Sequence, residues 1–151
     1  LPLDAHPEWG NNAQLAHKMG WQLERCTGEQ NLLNIGCLPE AQSLAVLGAH
    51  LSAELGRDPV MAGDMAKQIK TLAWCTGGAQ SFFTQAASEG IDAYITGEIS
   101  EPQYHLAHET GVAFISAGHH ATERYGVQAL AEAMKRQFGL EIYFFDEQNP
   151  A

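Results

Sequence analysis

The sequence has few basic residues and no long hydrophobic run. Of its 151 residues only 8 are Lys or Arg, against 18 Asp and Glu, and the formal net charge is −10. A protein that binds the nucleic-acid backbone in general carries a basic stripe, so such binding is not expected. No apolar run approaches the roughly 20 residues that a membrane-spanning helix needs. A membrane partner is therefore not expected either.

Cysteine is also scarce. Cys26, Cys37 and Cys75 are scattered along the chain and form no C-x-x-C pair. This odd number and spacing predict neither a disulfide framework nor a structural zinc site. Unpaired thiols are typical of reducing compartments, so a cytoplasmic location is expected. The hydrophobic fraction of 45%, with 15 Gly and 6 Pro, is that of a globular domain and excludes a disordered or collagen-like chain.

Apolar periodicity in the first half predicts two helices. The first covers residues 11–19, and Asn11 or Asn12 can cap it. The second covers residues 38–55, where leucines recur three to four positions apart. Residues 21–35 between them are expected to contain extended segments.

The second half alternates between strand and helix patterns joined by short connections. This alternation predicts an α/β fold, a layered sheet with mixed or parallel strands and helices on its faces. Ligand sites in such sheets lie beyond the carboxyl ends of the strands. The predicted strands are 69–75, 93–96, 112–117 and 140–145, and the predicted helices are 81–87, 102–109 and 121–138.

Two of the candidate sites follow the first and second of these strands. Gly77 and Gly78 follow the first, where glycines allow a ligand to approach the backbone or simply form a tight turn. Glu98 follows the second strand. This carboxylate can act as a base, support a neighbouring ligand, or cap the next helix.

The third strand is followed by a pattern typical of a metal ligand set. His119 and Glu123 are four residues apart, so on a helix they share a face and can reach one ion. Imidazole with carboxylate suits zinc, manganese, iron or nickel better than calcium. His120 points roughly 100° away and suits a supporting, substrate or packing role. Arg124 can bind an anionic substrate or remain solvated.

Asp4 is a further candidate, at the end of an apolar opening that reads as the end of a strand. A carboxylate in this position can bind a metal, and capping of a turn is the alternative. The opening also suggests the C-terminal portion of a longer chain. No nucleophile is marked by a motif, because Ser81 lacks the G-x-S-x-G pattern and nothing links Cys75 to a histidine. Metal-assisted chemistry is therefore the favoured enzyme interpretation.

Three segments together resemble one family over the whole chain. They are residues 1–12, then 73–78 with 96–98, and finally 118–123, which reads Gly-His-His-Ala-Thr-Glu. In order and spacing these motifs are similar to the Nif-three-like dinuclear-metal family, and most of all to its proteobacterial branch. Bacterial members are often catalogued as GTP cyclohydrolase I type 2 homologues.

The resemblance implies a subunit of two similar interlocked α/β halves in a homo-oligomer, a hexameric ring. Each subunit would hold two divalent transition metal ions. The family's ligands match here at Asp4, His119 and Glu123. Its other two are a His-His pair in a preceding region of roughly a hundred residues, which is absent from this sequence. The di-metal site is therefore expected to be incomplete in this chain.

The resemblance also divides the chain into three parts. Residues 1–20 would end the first metal-site half, 21–65 would form an intervening α/β segment, and 66–151 would form the C-terminal half with the His/Glu motif. The implied function is that of a metal-dependent hydrolase with a small phosphorylated or purine-type substrate.

In this interpretation Glu98 or His120 assists proton transfer, and Arg124 meets negative charge on the substrate. The alternative is a non-catalytic, metal-binding, ring-forming assembly or interaction protein. An association with DNA in damage recovery is less favoured, because the charge of −10 opposes it.

Overall fold

A six-stranded mixed sheet forms the centre of the computed structural model, which describes residues 2–147 and 149–150. The strands lie in the order β1-β2-β4-β5-β6-β3. They are β1 (Gln22–Thr27), β2 (Leu33–Ser43), β3 (Val60–Ala62), β4 (Gln68–Trp74), β5 (Ala93–Thr96) and β6 (Ala113–Ser116). The helices are α1 (Asn11–Met19), α2 (Leu44–Leu55), α3 (Phe83–Ser88), α4 (Glu101–Thr110), α5 (His119–Glu123) and α6 (Tyr125–Phe138).

Three neighbouring strands, β4, β5 and β6, are parallel, and the other pairs are antiparallel. This arrangement confirms the predicted α/β fold with a mixed sheet. Because parallel strands end at the same edge, the turns after β4, β5 and β6 are brought side by side. Every helix in the described part of the chain is too short or too polar to cross a bilayer.

Each face of the sheet carries its own apolar cluster. Alternate side chains of β4 enter opposite clusters, as a strand requires, with Trp74 on one face and Ala73 on the other. On the first face Trp74 packs among the leucines of α1 and α2. On the second face three aromatic rings meet, those of Phe83, Tyr94 and Phe114. The central strands are thus covered on both sides, whereas the side chains of the edge strand β1 are mostly exposed.

The predicted helix 38–55 is wrong in its first six residues. Strand β2 continues to Ser43, where Gln42 and Ser43 still pair with β4. The helix then begins at Leu44, because the Ser43 hydroxyl accepts a hydrogen bond of 3.3 Å from the Val46 N–H and caps it. The leucine spacing indicated the helix correctly but not where it begins.

The predicted last strand, 140–145, is also wrong. These residues form neither strand nor helix, and the side chains of Tyr143 and Phe145 are 74% and 87% exposed. A strand needs a neighbour for its backbone hydrogen bonds, and none of the described strands pairs with this segment. The predicted helix 121–138 is two helices, α5 and α6, which meet at Arg124.

Asp92 connects the beginnings of the parallel strands. Its Oδ2 accepts hydrogen bonds of 2.9 Å from three donors, the Lys70 N–H, the Thr71 N–H and the Thr71 hydroxyl. Its carbonyl accepts from the Ala113 N–H at 3.0 Å. Burial alone would raise the pKa of Asp92, but the hydrogen bonds from Thr71 and Lys70 outweigh it and lower the pKa.

We expect Asp92→Ala to lower the free energy of unfolding by about 2 kcal/mol at pH 7, because three donors lose a charged acceptor. The carboxyl has a lower pKa in the folded state than its unfolded value of about 3.9. Its contribution is therefore present above that value and is lost as the pH falls through the folded pKa. Urea denaturation should show the difference between wild type and variant shrinking below about pH 4. Glu109→Ala, on the exposed side of α4, is the control, and a difference independent of pH would contradict the assignment.

Candidate metal site and adjoining cavity

The turns after the parallel strands form the floor of the candidate site. The Gly97 N–H donates to the Gly77 carbonyl at 2.8 Å, and the Gly118 N–H donates to the Gly97 carbonyl at 3.0 Å. These two bonds tie the turn after β5 to the turns after β4 and β6. The residues that follow the three strands therefore face one another, as the sequence predicted.

His119 lies between two carboxylates at this edge. Its Nδ1 is 2.6 Å from Glu98 Oε1, and its Nε2 is 3.1 Å from Glu123 Oε2. The hydrogen bond to Glu98 raises the pKa of His119 and lowers the pKa of Glu98. Because an ionised carboxylate only accepts, the contact with Glu98 requires a proton on Nδ1. The other nitrogen, Nε2, is thereby directed at Glu123.

Asp4 brings a second carboxylate close to Glu123. Burial raises the pKa of Glu123, and the negative charge of Asp4 raises it further. Asp4 itself is buried, with 7% of its surface exposed. It lies in a 3-10 turn, Pro2–Ala5, so the prediction of a strand ending at Asp4 is wrong; Leu1 lies outside the described residues. The turn forms because the His6 N–H bonds back to the Leu3 carbonyl at 3.0 Å.

The donor chemistry of this cluster fits a transition metal ion. In the part of the chain that the structure describes, no group of three or more His, Cys, Asp or Glu side chains already surrounds one point. His119, Glu123 and Asp4 nevertheless supply one imidazole and two carboxylates, which zinc, manganese, iron and nickel all accept. A Cβ at Gly77 would lie 2.0 Å from Glu123 Oε1 and 3.0 Å from His119 Nε2. The backbone therefore comes close to two of the donors, and its φ of +70 favours glycine at this position.

His120 and Arg124 share a contact of their own, with a carboxylate of the C-terminal segment. The carboxylate of Asp146, in the C-terminal segment, lies 2.9 Å from His120 Nε2 and 2.8 Å from an Arg124 terminal nitrogen. A second Arg124 nitrogen donates to the Leu55 carbonyl at 2.9 Å. The predicted site residues thus fall into two groups: Asp4, Glu98, His119 and Glu123 on one side, and His120 and Arg124 on the other.

Two cavities adjoin these groups. One of about 420 Å³ is lined by Arg57, His120, Arg124 and Asp146. The other, of about 460 Å³, also touches His120 and Arg124 and reaches the metal-site residues His119 and Glu123. Because they share two side chains, the cavities are neighbours.

Asn11 is a site residue that the sequence did not reveal. Its amide nitrogen donates to Asp4 Oδ1 at 2.7 Å, and its amide oxygen accepts from the Gly126 N–H at 2.7 Å. The expected capping role is wrong, because α1 is preceded by Gly10 with no side-chain cap. Asn12 accepts from the Thr76 N–H at 2.8 Å instead. The sequence did contain one signal for this role: two adjacent asparagines stand where a single one is enough to cap the helix.

Known proteins are similar to the chain over its whole length. The profile of the Duf34/NIF3 (NGG1p interacting factor 3) family matches residues 1–150. A Neisseria meningitidis serogroup B protein named GTP cyclohydrolase 1 type 2 homolog is 62% identical over 151 residues, which are 100% of this chain and 61% of that relative. The Escherichia coli K12 protein of the same name is 47% identical over 153 residues, again covering 100% of this chain and 61% of the relative.

Solved structures share the fold. One titled "Structural genomics, protein ybgI, unknown function" matches with a TM-score of 0.94 and 45% identity, covering 99% of this chain and 60% of that one. A Thermus thermophilus protein matches with a TM-score of 0.84 and 30% identity, covering 100% of this chain and 60% of that one. The chain spans about 61% of the length of the curated relatives that it matches. By profile, sequence identity and fold, this chain belongs to the Duf34/NIF3 family.

Proposed function

We propose that this chain is part of a metal-dependent, hydrolase-like protein in which Asp4, His119 and Glu123 hold a divalent transition metal ion. The observation that carries the proposal is the placement of Glu123 Oε2, 3.1 Å from His119 Nε2 on the same short helix. Burial and, after it, the negative charge of Asp4 raise the pKa of Glu123. Two carboxylates that repel each other beside an imidazole are stabilised by a cation. The relatives' name, GTP cyclohydrolase 1 type 2 homolog, favours a purine-type or phosphorylated substrate.

When bound, the metal would supply electrophilic activation of water and substrate. The protein groups would supply orientation and proton handling around it. Glu98 accepts a hydrogen bond from the Nδ1–H of His119 and so keeps Nε2 directed at Glu123. His120 would be available to hold a proton once its contact with Asp146 opens. Arg124 would meet negative charge on the substrate.

Elemental analysis and metal titration of the purified chain test the proposal. We expect bound zinc, manganese, iron or nickel, and we expect His119→Ala and Asp4→Ala each to weaken metal binding at least tenfold, because each removes a donor. His17→Ala, on the exposed side of α1, is the matched control. Turnover assays with GTP and other phosphorylated purines follow on the same proteins. Unchanged metal content in both ligand variants would refute the proposal.

A second test displaces a metal donor without removing it, and compares one variant with a matched control. Gly77→Ala places a Cβ against Glu123, whereas Gly111→Ala has nearly the same backbone angle, φ +69 against φ +70, and no atom within 4 Å. We expect only Gly77→Ala to weaken metal binding. Bound metal without turnover, in an oligomer that dissociates on chelation, would instead support the non-catalytic, ring-forming assembly.

A further inference from the structure

One cavity of this acidic chain brings basic side chains together with two carboxylates. Asp146 and Glu147 line the cavity of about 420 Å³, and so do three basic side chains: His120, Arg57 and Arg124, the last two being among the 8 Lys and Arg residues. None of the three belongs to the proposed ligand set. A cavity lined by two guanidinium groups favours an anion.

An internal anion already lies between two of these side chains. Each oxygen of the Asp146 carboxylate contacts one of them, Oδ1 at 2.9 Å from His120 and Oδ2 at 2.8 Å from Arg124. The contact with His120, followed by the charge of Arg124, lowers the pKa of Asp146, so this group is ionised. Asp146 is carried by the exposed C-terminal segment and not by the sheet or a helix.

Arg57 approaches the same cavity with no charged partner among the described residues. Its side chain crosses Gly118, where a Cβ would meet Arg57 Cδ at 2.8 Å and Nε at 3.0 Å. Gly118 has φ +95, so its backbone conformation also favours glycine. The Arg57 guanidinium donates to the Pro150 carbonyl, and no ion pair of the described residues includes Arg57. Its positive charge is therefore left for a ligand.

We propose that Arg57, His120 and Arg124 form a phosphate-binding site, and that Asp146 is an internal competitor which the phosphate displaces. A phosphate can present two oxygens to these side chains, as the carboxylate does, but it carries more negative charge, and guanidinium groups bind it in bidentate fashion.

The site lies next to the candidate metal site. The neighbouring cavity of about 460 Å³ shares His120 and Arg124, reaches His119 and Glu123, and has walls formed by Phe144 and Phe145. A phosphate monoester bound at the arginines would extend its organic group along the aromatic rings towards the metal-site residues. The role of this site in binding a substrate rests on the proposed function. Phosphate binding itself can be measured independently of that function.

Calorimetric titration of the 151-residue chain with inorganic phosphate, at constant ionic strength, tests the site. We expect Asp146→Asn to bind phosphate about tenfold more tightly than wild type, because the competitor loses its charge. Adding Arg57→Gln to Asp146→Asn should abolish this gain. Glu141→Gln is the matched control, since it makes the same charge change in the same segment outside the cavity. Equal gains in Asp146→Asn and Glu141→Gln, or a gain that survives Arg57→Gln, would overturn the site.

Two further arms separate this site from the metal and identify the source of the phosphate. Titration is repeated after dialysis against a chelator, and we expect the same affinity, whether or not the proposed metal function holds. Loss of phosphate binding after metal removal would assign the phosphate to the metal and overturn the site. Tighter binding of phenyl phosphate than of inorganic phosphate would support a monoester ligand. Equal affinity would overturn the monoester and leave the free ion as the ligand.

Discussion

A Gly97→Ala variant is expected to lose about 3 kcal/mol of unfolding free energy, because it overpacks a contact made only of backbone. A Cβ at this position would lie 2.6 Å from His119 Cα, 2.9 Å from His119 N and 2.7 Å from the Gly77 carbonyl oxygen. None of these atoms is the mobile end of a side chain. To make room, the turns after β4 and β6 must separate, and His119 moves with them.

Urea denaturation measures the loss, and the ring signals of His119 in an NMR spectrum report its displacement. Gly90→Ala is the control, because its φ of +74 strains the new side chain while no atom lies within 4 Å. That strain alone costs about 1 kcal/mol. A loss in Gly97→Ala no greater than in Gly90→Ala would show that the turns tolerate separation.

Trp74→Ala is expected to cost about 4 kcal/mol of unfolding free energy, in the middle of the range of about 3–5 kcal/mol for removal of a buried aromatic side chain. Trp74 is fully buried in β4, and its ring centroid lies 5.3 Å from that of Trp21. Its indole N–H donates to the Asn12 carbonyl at 2.9 Å and so fastens α1 to the sheet. Thermal and urea denaturation of the purified variant measure the loss.

Trp74→Phe separates packing from the hydrogen bond. Phenylalanine keeps most of the apolar contact but leaves the Asn12 carbonyl without its indole donor, so we expect a loss of about 2 kcal/mol. If Trp74→Phe and Trp74→Ala were equally unstable, the hydrogen bond rather than the burial would dominate. That result would contradict the packing explanation.

The parallel part of the sheet could be predicted because its signals are local. Short buried strands such as β5 are apolar runs, and each ends at a glycine such as Gly97 or Gly118. The position of a residue directly after such a strand then fixes the edge on which it lies. For this reason Glu98 and His119 were each singled out as candidates, and in the structure Glu98 Oε1 lies 2.6 Å from His119 Nδ1, a contact that the sequence did not predict.

Contacts between distant parts of the chain could not be predicted in this way. Asn11 bonds to Gly126, and Asp146 bonds to His120, but neither pair has a periodic pattern or a fixed spacing. The beginning of α2 was missed for a related reason, because strand β2 runs to Ser43 and its last two residues, Gln42 and Ser43, pair with β4. The spacing of hydrophobic residues describes one helix or strand at a time, whereas strand pairing depends on two segments of the chain.

In the C-terminal half the error is of the opposite kind. The local sequence pattern favours a strand or an apolar helix face, but no neighbouring element of the described structure buries it. Residues 140–145 are rich in aromatic and β-branched side chains, which favour a strand. An apolar stretch of α6 also remains open, with Val127 48% and Met134 38% exposed. Propensity alone does not supply the neighbour that buries a strand or a helix face.

The position of β3 has a consequence for the order in which the chain folds. α2 carries the chain from β2 on one side of the sheet to β3 at its far edge, where Val60 pairs with Ser116 of β6. A ladder between segments so distant in sequence carries a large loop-closure entropy, and it cannot form before β6 exists. During synthesis β3 therefore leaves the ribosome before its partner does, and its backbone stays hydrated until β6 joins β5. We expect this edge to close last, after the strands that carry the candidate site have assembled.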